Sequence, residues 1–308
     1  MNGEAPIFVH AGLPKAGSTT LQRNLFPALD GVRYLGAKGS RQASATIRTA
    51  AEMVVNTVKF RARDIVEAAD LPAALAAAAG IVASHPDPVL LSDEGFSSNG
   101  TIAAYDRVPL IPIALRRLFG DRVRVMLVLR DPAHFVASLL LQRLSRQPLS
   151  ERGPTGIAAT TPTDAIELHF RAAEQGDPRS LFISACRYDL IVQGYRDAFG
   201  PASCHLVAFE HLFGPALAYR TYFSRVMGIP PAQVVIPRIN ETGDSKRREA
   251  AYRLLGASAT PSGVDAFATA WREAAAVVRS HDRLSQFLDR HCRVPYAEAL
   301  AAAAPASA

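Results

Sequence analysis

Residues 7–26 (IFVHAGLPKAGSTTLQRNLF) run from a short apolar segment, through a turn rich in glycine, proline and serine, into an amphipathic segment. The apolar segment predicts a buried strand, and the amphipathic one predicts a helix. A chain that enters a helix directly from a strand presents the unpaired backbone N–H groups of the first helical turn at the end of that strand. The helix dipole adds partial positive charge there, so the segment predicts a binding site for a phosphate or sulfate group.

The side chains of the turn suit the same ligand. Gly12 and Gly17 allow the backbone to bend and to approach a ligand closely, and Pro14 stiffens the turn. Lys15 adds a mobile cation in a chain in which only four of the 34 basic residues are lysine. The following hydroxyl groups add donors. The alternative is a strand-to-helix junction whose glycines and proline serve conformation alone.

The spacing of the two glycines matches the ATP-binding loop GxxxxGK[ST], but the lysine does not. Ser18 occupies the position that follows the second glycine, and Lys15 lies inside the loop. An ordinary ATPase needs its lysine on the β- and γ-phosphates and a hydroxyl on Mg²⁺. The displacement therefore argues against an ordinary ATPase.

Residues 123–144 (VRVMLVLRDPAHFVASLLLQRL) repeat the arrangement of strand, turn and helix. The continuous apolar run is typical of a strand buried on both faces of a parallel sheet. Asp131 suits a helix N-cap and Pro132 the first helical position. Arg130 then lies at the carboxyl end of a strand and Ser138 about two turns into the helix, where they could bind a second phosphate. A salt bridge for Arg130 and an ordinary helix hydroxyl for Ser138 are the alternatives.

Together the two segments resemble the sulfotransferases that use 3′-phosphoadenosine 5′-phosphosulfate (PAPS). In that family a loop written here GLPKAGSTTLQ holds the 5′-phosphosulfate, and an element written here VLRDPAHFVAS holds the 3′-phosphate. The resemblance covers about residues 5–245. It implies an α/β fold of the P-loop-like type, with three layers (αβα) and a central, mostly parallel sheet. We expect a single domain over residues 1–308.

The resemblance also implies a role for each matching residue. Lys15 would be catalytic, stabilising the bridging oxygen as the sulfuryl group leaves, while Arg130 and Ser138 would hold the 3′-phosphate. Many relatives close the nucleotide site with a late loop, for which Arg238 and Asn240 are candidates here, although this basic segment could equally be a solvated helix start. The 5′-phosphate would be held by the backbone and hydroxyls of the first loop: Ala16, Gly17, Ser18, Thr19 and Thr20.

The segment PVLLSDEGFS, residues 88–97, predicts another short buried strand that ends on the same edge of the sheet. Relatives carry a catalytic histidine or glutamate near this point, so Glu94 is the candidate base, with Asp93 and His134 as further candidates. A helix N-cap or an ion pair is the alternative role for Glu94. His10, at the end of the first strand, is more typical of a core or loop histidine with satisfied hydrogen bonds than of a ligand or catalytic group.

The rest of the chain fits one domain with additions. Residues 40–86 predict a helical insertion, and residues 145–162 have the composition of a loop that could be a lid over the acceptor. A helix over 187–199 and a strand over 204–210 complete the core. The tail, about residues 297–308, is expected to fray.

Composition narrows the classes of function. The net charge is +6, but the arginines are dispersed, which does not favour nucleic acid. Three cysteines without paired spacing predict neither a disulfide nor a zinc site. No signal peptide or membrane span is apparent, so we expect a cytoplasmic, bacterial protein without stable membrane insertion.

The leading hypothesis is a metal-independent sulfotransferase that moves the sulfuryl group of PAPS to a hydroxyl or amine by in-line displacement. The acceptor would be a small metabolite, a glycan or a lipid precursor. A P-loop nucleotide kinase or phosphotransferase is the first alternative, and turnover without Mg²⁺ would separate the two. A non-catalytic nucleotide-binding protein of the same fold is the second alternative.

Overall fold

The computed structural model describes residues 4–13, 16–36, 43–97, 110–146, 162–175, 186–212, 223–224, 226–230, 272 and 275–302. Its centre is a five-stranded sheet in the order β2-β3-β1-β4-β5, in which every pair of neighbouring strands is parallel. The strands are β1 Ile7–Gly12, β2 Arg33–Tyr34, β3 Val89–Ser92, β4 Val123–Leu129 and β5 Cys204–Ala208.

The central strands are buried along almost their whole length. Every residue of β1 and β3 is buried, and in β4 only Arg124 is partly exposed. Such continuous burial is expected of a parallel sheet covered by helices on both faces. The structure therefore confirms the predicted α/β class.

Helices connect and cover the strands. Among the described residues, α2 packs against α3 and α4, α4 against α7, and α10 against β5. The helices are α1 Ser18–Thr20, α2 Ala45–Glu67, α3 Ala73–Ala83, α4 Leu110–Phe119, α5 Pro132–Arg146, α6 Pro162–Glu174, α7 Tyr188–Phe199, α8 Phe209–Leu212, α9 Asp282–Leu288 and α10 Val294–Ala301. Helix α1 continues into a π-helical turn, Leu21–Leu25, and a 3-10 turn, Phe26–Ala28.

Two features differ from the sequence prediction. The two-residue strand β2 was not predicted, because two residues carry no periodic signal. The prediction that the chain frays from about residue 297 is wrong as far as Ala301, since α10 continues to that residue and buries Ala299. The possible lid lies largely outside the described residues, and the single domain stays a prediction.

Candidate functional site

The candidate site lies at the carboxyl edge of the sheet, where the loops after β3, β1 and β4 stand side by side. This follows from the strand order, in which β1 lies between β3 and β4. The connection after β1 leads to one side of the sheet, and β4 and β5 lie on the other. Ligands of open parallel sheets bind outside the carboxyl ends of the strands at such a switch point.

The loop after β1 has no room for a side chain at Gly12. A β-carbon there would lie 2.3 Å from Ser18 Oγ and 2.8 Å from His10 Nε2. Gly17 has a φ of 76°, a left-handed conformation that favours glycine, and is the N-cap of α1. No side chain among the described residues caps this helix. Its first N–H groups are therefore not occupied by a side-chain cap, which is the state in which a helix start can bind an anion.

The loop residues predicted to hold the 5′-phosphate are found at this helix start. Ser18 and Thr20 are buried, whereas Gly17 and Thr19 are partly exposed. Ala16 is buried, and its N–H donates to the Leu13 carbonyl over 3.1 Å. Lys15, the predicted catalytic cation, lies outside the described residues, so its role stays a prediction.

A buried polar network lies beneath the loop. His10 and Ser92 are register partners on β1 and β3, and His10 Nδ1 lies 2.7 Å from Ser92 Oγ. Gln22, on the turn after α1, reaches the same hydroxyl with its amide nitrogen at 3.0 Å. Burial lowers the pKa of His10 to about 3, so its imidazole is neutral near neutral pH.

The turn after β3 carries the candidate base and is tied to the loop. Glu94 begins a 3-10 turn, Glu94–Phe96, and is half-buried. The buried hydroxyl of Ser97 contacts both the Gly12 carbonyl, at 2.9 Å, and the Glu94 carbonyl, at 3.2 Å. The backbone of Glu94 is thus held next to the first residues of the loop.

Asp93, by contrast, has structural partners. Its carboxylate accepts from the N–H of Gly95 at 2.6 Å and lies 3.0 Å from the ammonium of Lys59, on α2. The aliphatic part of Lys59 packs over Gly95, where a β-carbon would lie 2.6 Å from it. Asp93 therefore caps the turn, which is the role that the sequence left open for Glu94.

Arg130 directly follows β4, beside the loop. Its guanidinium lies 4.6 Å from the ring centroid of Phe209, and its carbonyl accepts from the hydroxyl of Tyr188 at 3.1 Å. Burial lowers the pKa of Arg130, while the carboxylate of Glu210 acts in the opposite direction. Glu210 itself accepts from the N–H of Asp131 at 3.1 Å. A planar cation is thus held at the edge of the sheet.

The helix after Arg130 begins as predicted. The carboxylate of Asp131 accepts from the N–H of His134 at 2.9 Å, and Pro132 is the first helical residue. Ser138 lies in the second turn of α5 and is half-buried. The His134 ring lies 2.8 Å from a guanidinium nitrogen of Arg279, and burial lowers its pKa.

Two predicted residues of the site are not described by the structure, and one residue close to the site was not predicted. Arg238 and Asn240 lie outside the described residues, as does the basic segment that follows them. Tyr296, on α10, interacts with the carboxylate of Glu210, and burial together with that carboxylate raises its pKa. No sequence motif indicated that α10 approaches the Arg130 region, because the two are far apart along the chain.

Two kinds of feature are absent from the described residues. These residues contain no cluster of three or more histidine, cysteine, aspartate or glutamate residues with which to hold a metal ion. None of the helices within them has both the length and the apolar character needed to cross a membrane.

Comparison with solved structures finds several similar chains. A sulfotransferase from Alicyclobacillus acidocaldarius aligns over 88% of this chain and 99% of its own, with 15% sequence identity and a TM-score of 0.44. No protein-family model matches the chain, and no curated protein sequence matches it.

Proposed function

We propose that this chain is a PAPS-dependent sulfotransferase. The observation that carries the proposal is the order of three turns along the sheet edge. The loop after β1 lies between the turn that holds Glu94 and the one that holds Arg130. An anion in the loop would then have a carboxylate on one side and a guanidinium on the other. Groups on both sides suit a transfer in which a nucleotide donor and a separate acceptor must be held in line.

The proposed chemistry needs no covalent intermediate on the protein. The loop, with Lys15, would bind the 5′-phosphosulfate and stabilise the charge that develops on the bridging oxygen. Glu94 would take the proton from the acceptor hydroxyl or amine as the new bond to sulfur forms. The bond from sulfur to the bridging oxygen would break, and adenosine 3′,5′-bisphosphate would leave. Arg130 and Ser138 would hold its 3′-phosphate, with Arg238 and Asn240 closing the nucleotide site.

Isothermal titration calorimetry with adenosine 3′,5′-bisphosphate, ATP and AMP tests the donor. We expect selective binding of the bisphosphate that weakens roughly 10- to 100-fold in Arg130→Ala, because a hydrogen bond to a charged group contributes about 1.5–3 kcal/mol. AMP, which lacks a 3′-phosphate, should bind both proteins alike. Arg124→Ala is the matched control, since it removes an arginine from the amino end of the same strand.

Equal or better binding of ATP, or no effect of Arg130→Ala, would overturn the proposal and favour a phosphotransferase. A second measurement separates an enzyme from a binding protein. Glu94→Gln should keep its affinity for the bisphosphate but lose turnover of PAPS, measured without Mg²⁺ and with a panel of hydroxyl and amine acceptors. A wild-type protein that binds the bisphosphate tightly and transfers to none of them would be the binding protein.

A further inference from the structure

His10 is a buried polar residue in the middle of an apolar strand. Its side chain has no exposed surface, and its Nδ1 contacts Ser92. Its Nε2 is also buried and has no hydrogen-bond partner among the described residues. Leaving a buried polar group unsatisfied costs about 1–3 kcal/mol, so the direction in which this nitrogen points requires an explanation.

The hydrogen-bond network around Ser92 offers a proton to one imidazole nitrogen of His10. The amide group of Gln22 faces both the carbonyl oxygen of Ser92, at 3.5 Å, and its hydroxyl oxygen, at 3.0 Å. A carbonyl only accepts, so the facing atom is the amide nitrogen, which donates to both. The Ser92 hydroxyl therefore accepts from Gln22, and its own proton is available for His10 Nδ1. In that arrangement the neutral imidazole carries its own proton on Nε2.

This Nε2–H donor shares a small space with an acceptor. His10 Nε2 and Ser18 Oγ would lie 2.8 Å and 2.3 Å from the same β-carbon if Gly12 had one. The Ser18 hydroxyl donates over 3.4 Å to the carbonyl of Leu13, which leaves its oxygen able to accept a further hydrogen bond. The donor and the acceptor thus face the same space beside Gly12.

We propose that His10 is a positioning residue for the anion-binding loop, whose Nε2–H donates to the Ser18 hydroxyl when an anion binds. The bond completes a chain that runs in one direction from Gln22 through Ser92, His10 and Ser18 to the carbonyl of Leu13. It joins Leu13, in the loop, to Ser18, the first residue of the helix, and so holds in place the helix start whose N–H groups an anion would contact. The inference rests on the proposed anion site.

The tautomer tests the direction of the chain without any ligand. In full-length protein labelled with ¹⁵N-histidine, two-bond ¹⁵N–¹H correlation spectra should show His10 protonated at Nε2, with its signals assigned by their absence from His10→Gln. Titration with sodium sulfate or adenosine 3′,5′-bisphosphate should move the Nε2 proton resonance in step with binding. A proton on Nδ1 would overturn the proposal, because Nε2 could then only accept.

Two conservative substitutions distinguish the contribution of His10 Nε2 to binding from that of Nδ1. Glutamine carries its amide at about the distance of Nε2 from the β-carbon, and asparagine at about that of Nδ1. We expect His10→Gln to bind the bisphosphate within about twofold of wild type and His10→Asn to bind roughly three- to tenfold more weakly, the net effect of one hydrogen bond. His85→Gln, in the connection between α3 and β3, is the control for a histidine-to-glutamine change. Equal binding by both His10 variants would contradict the proposal.

A double-mutant cycle tests the partner. In a Ser18→Ala background, His10→Asn should weaken binding no further, whereas additive losses would show that His10 does not act through Ser18. The same measurements distinguish failure of the proposed nucleotide site from failure of the proposed role of His10. If sulfate moves the Nε2 resonance but the bisphosphate does not bind, the nucleotide assignment fails and the role of His10 stands. If the bisphosphate binds wild type and His10→Asn equally, only the role of His10 fails.

Discussion

The loop after β1 and the turn after β4 both join a buried parallel strand to a helix, but they present different chemical groups at the edge of the sheet. The loop after β1 is built on Gly12 and Gly17 and has no capping side chain among the described residues. The turn after β4 places Arg130 at the strand end and caps its helix with Asp131. The first element therefore leaves backbone N–H groups without a side-chain cap, whereas the second presents a side-chain cation.

The residues beneath the two elements differ in charge. A neutral network of His10, Ser92 and Gln22 supports the loop. Beneath the turn after β4 lie charged groups, with Glu210 between the backbone of Asp131 and the hydroxyl of Tyr296. A neutral support leaves the positive potential of the helix start undiminished for an anion. Two anions of one nucleotide could thus be held by two different physical means.

The largest effect is expected from Gly12→Ala, which challenges the requirement for a bare backbone in the loop. The new β-carbon would collide with Ser18 and His10, so the loop must move. We expect the free energy of unfolding to fall by about 1–3 kcal/mol, as for an overpacked core, and bisphosphate affinity to fall roughly tenfold or more. Chemical denaturation and calorimetry measure the two changes.

Gly80→Ala is the matched control for that substitution. Gly80 lies in helix α3, where a β-carbon would meet nothing within 4 Å. Alanine is the better helix former, so this variant should gain about 0.5–1 kcal/mol and bind the bisphosphate as wild type does. Wild-type binding and stability in Gly12→Ala would show that the loop does not depend on a bare backbone.

The difference between the two elements also explains how much the sequence could predict. Asp131 and Pro132 are local signals of a helix start, and Gly17 is a local signal of a left-handed turn; the structure has all three in those conformations. Continuous apolar runs identified the buried strands β1 and β4. Each of these inferences depends on neighbours only a few residues apart.

The supports beneath the elements depend instead on long-range contacts. His10 contacts Ser92, 82 residues away, only because β1 pairs with β3 in one register. Lys59, on α2, contacts Asp93, on the turn after β3. This ion pair could not be predicted without knowing how α2 packs against the sheet. The alanine-rich tail suggested fraying because it lacks a pattern, yet packing on β5 makes it helical as far as Ala301.

The second prediction sharpens the distinction between neutral and charged support. Buried His10 has a pKa of about 3, well below the value of about 6.5 in an unfolded chain. Between these values the unfolded state binds a proton that the native state does not, so stability falls as the pH falls. From pH 7 to pH 5 this contribution is about 2 kcal/mol, and His10→Gln should lack it.

Urea unfolding of wild type and His10→Gln at pH 7 and pH 5 measures this difference. Ser92→Ala is the matched control, since it changes the network but keeps the buried imidazole, and its stability should keep the wild-type response to pH. Identical losses on acidification in wild type and His10→Gln would mean that His10 is not held neutral, and the neutral support of the loop would then have to be abandoned.

The smallest effect is expected at the cap of the charged element. Asp131→Ala removes the acceptor for the His134 N–H and should lower the free energy of unfolding by about 1 kcal/mol. It also removes a negative charge next to Arg130, so bisphosphate affinity should hold or increase while stability falls. Asp131→Asn is the matched control, because asparagine caps a helix nearly as well without the charge.

Calorimetry and thermal melts of these two variants compare the elements directly. If the Arg130 side chain holds the anion at the turn after β4, both variants should bind the bisphosphate with about the same affinity. Removing the cap in Asp131→Ala should then add little to the affinity already gained by removing the charge in Asp131→Asn. If Asp131→Ala instead binds the bisphosphate much more tightly than Asp131→Asn does, the exposed N–H groups of α5 would be binding the anion. The two elements would then work by the same backbone mechanism, with Asp131 merely occupying the second one.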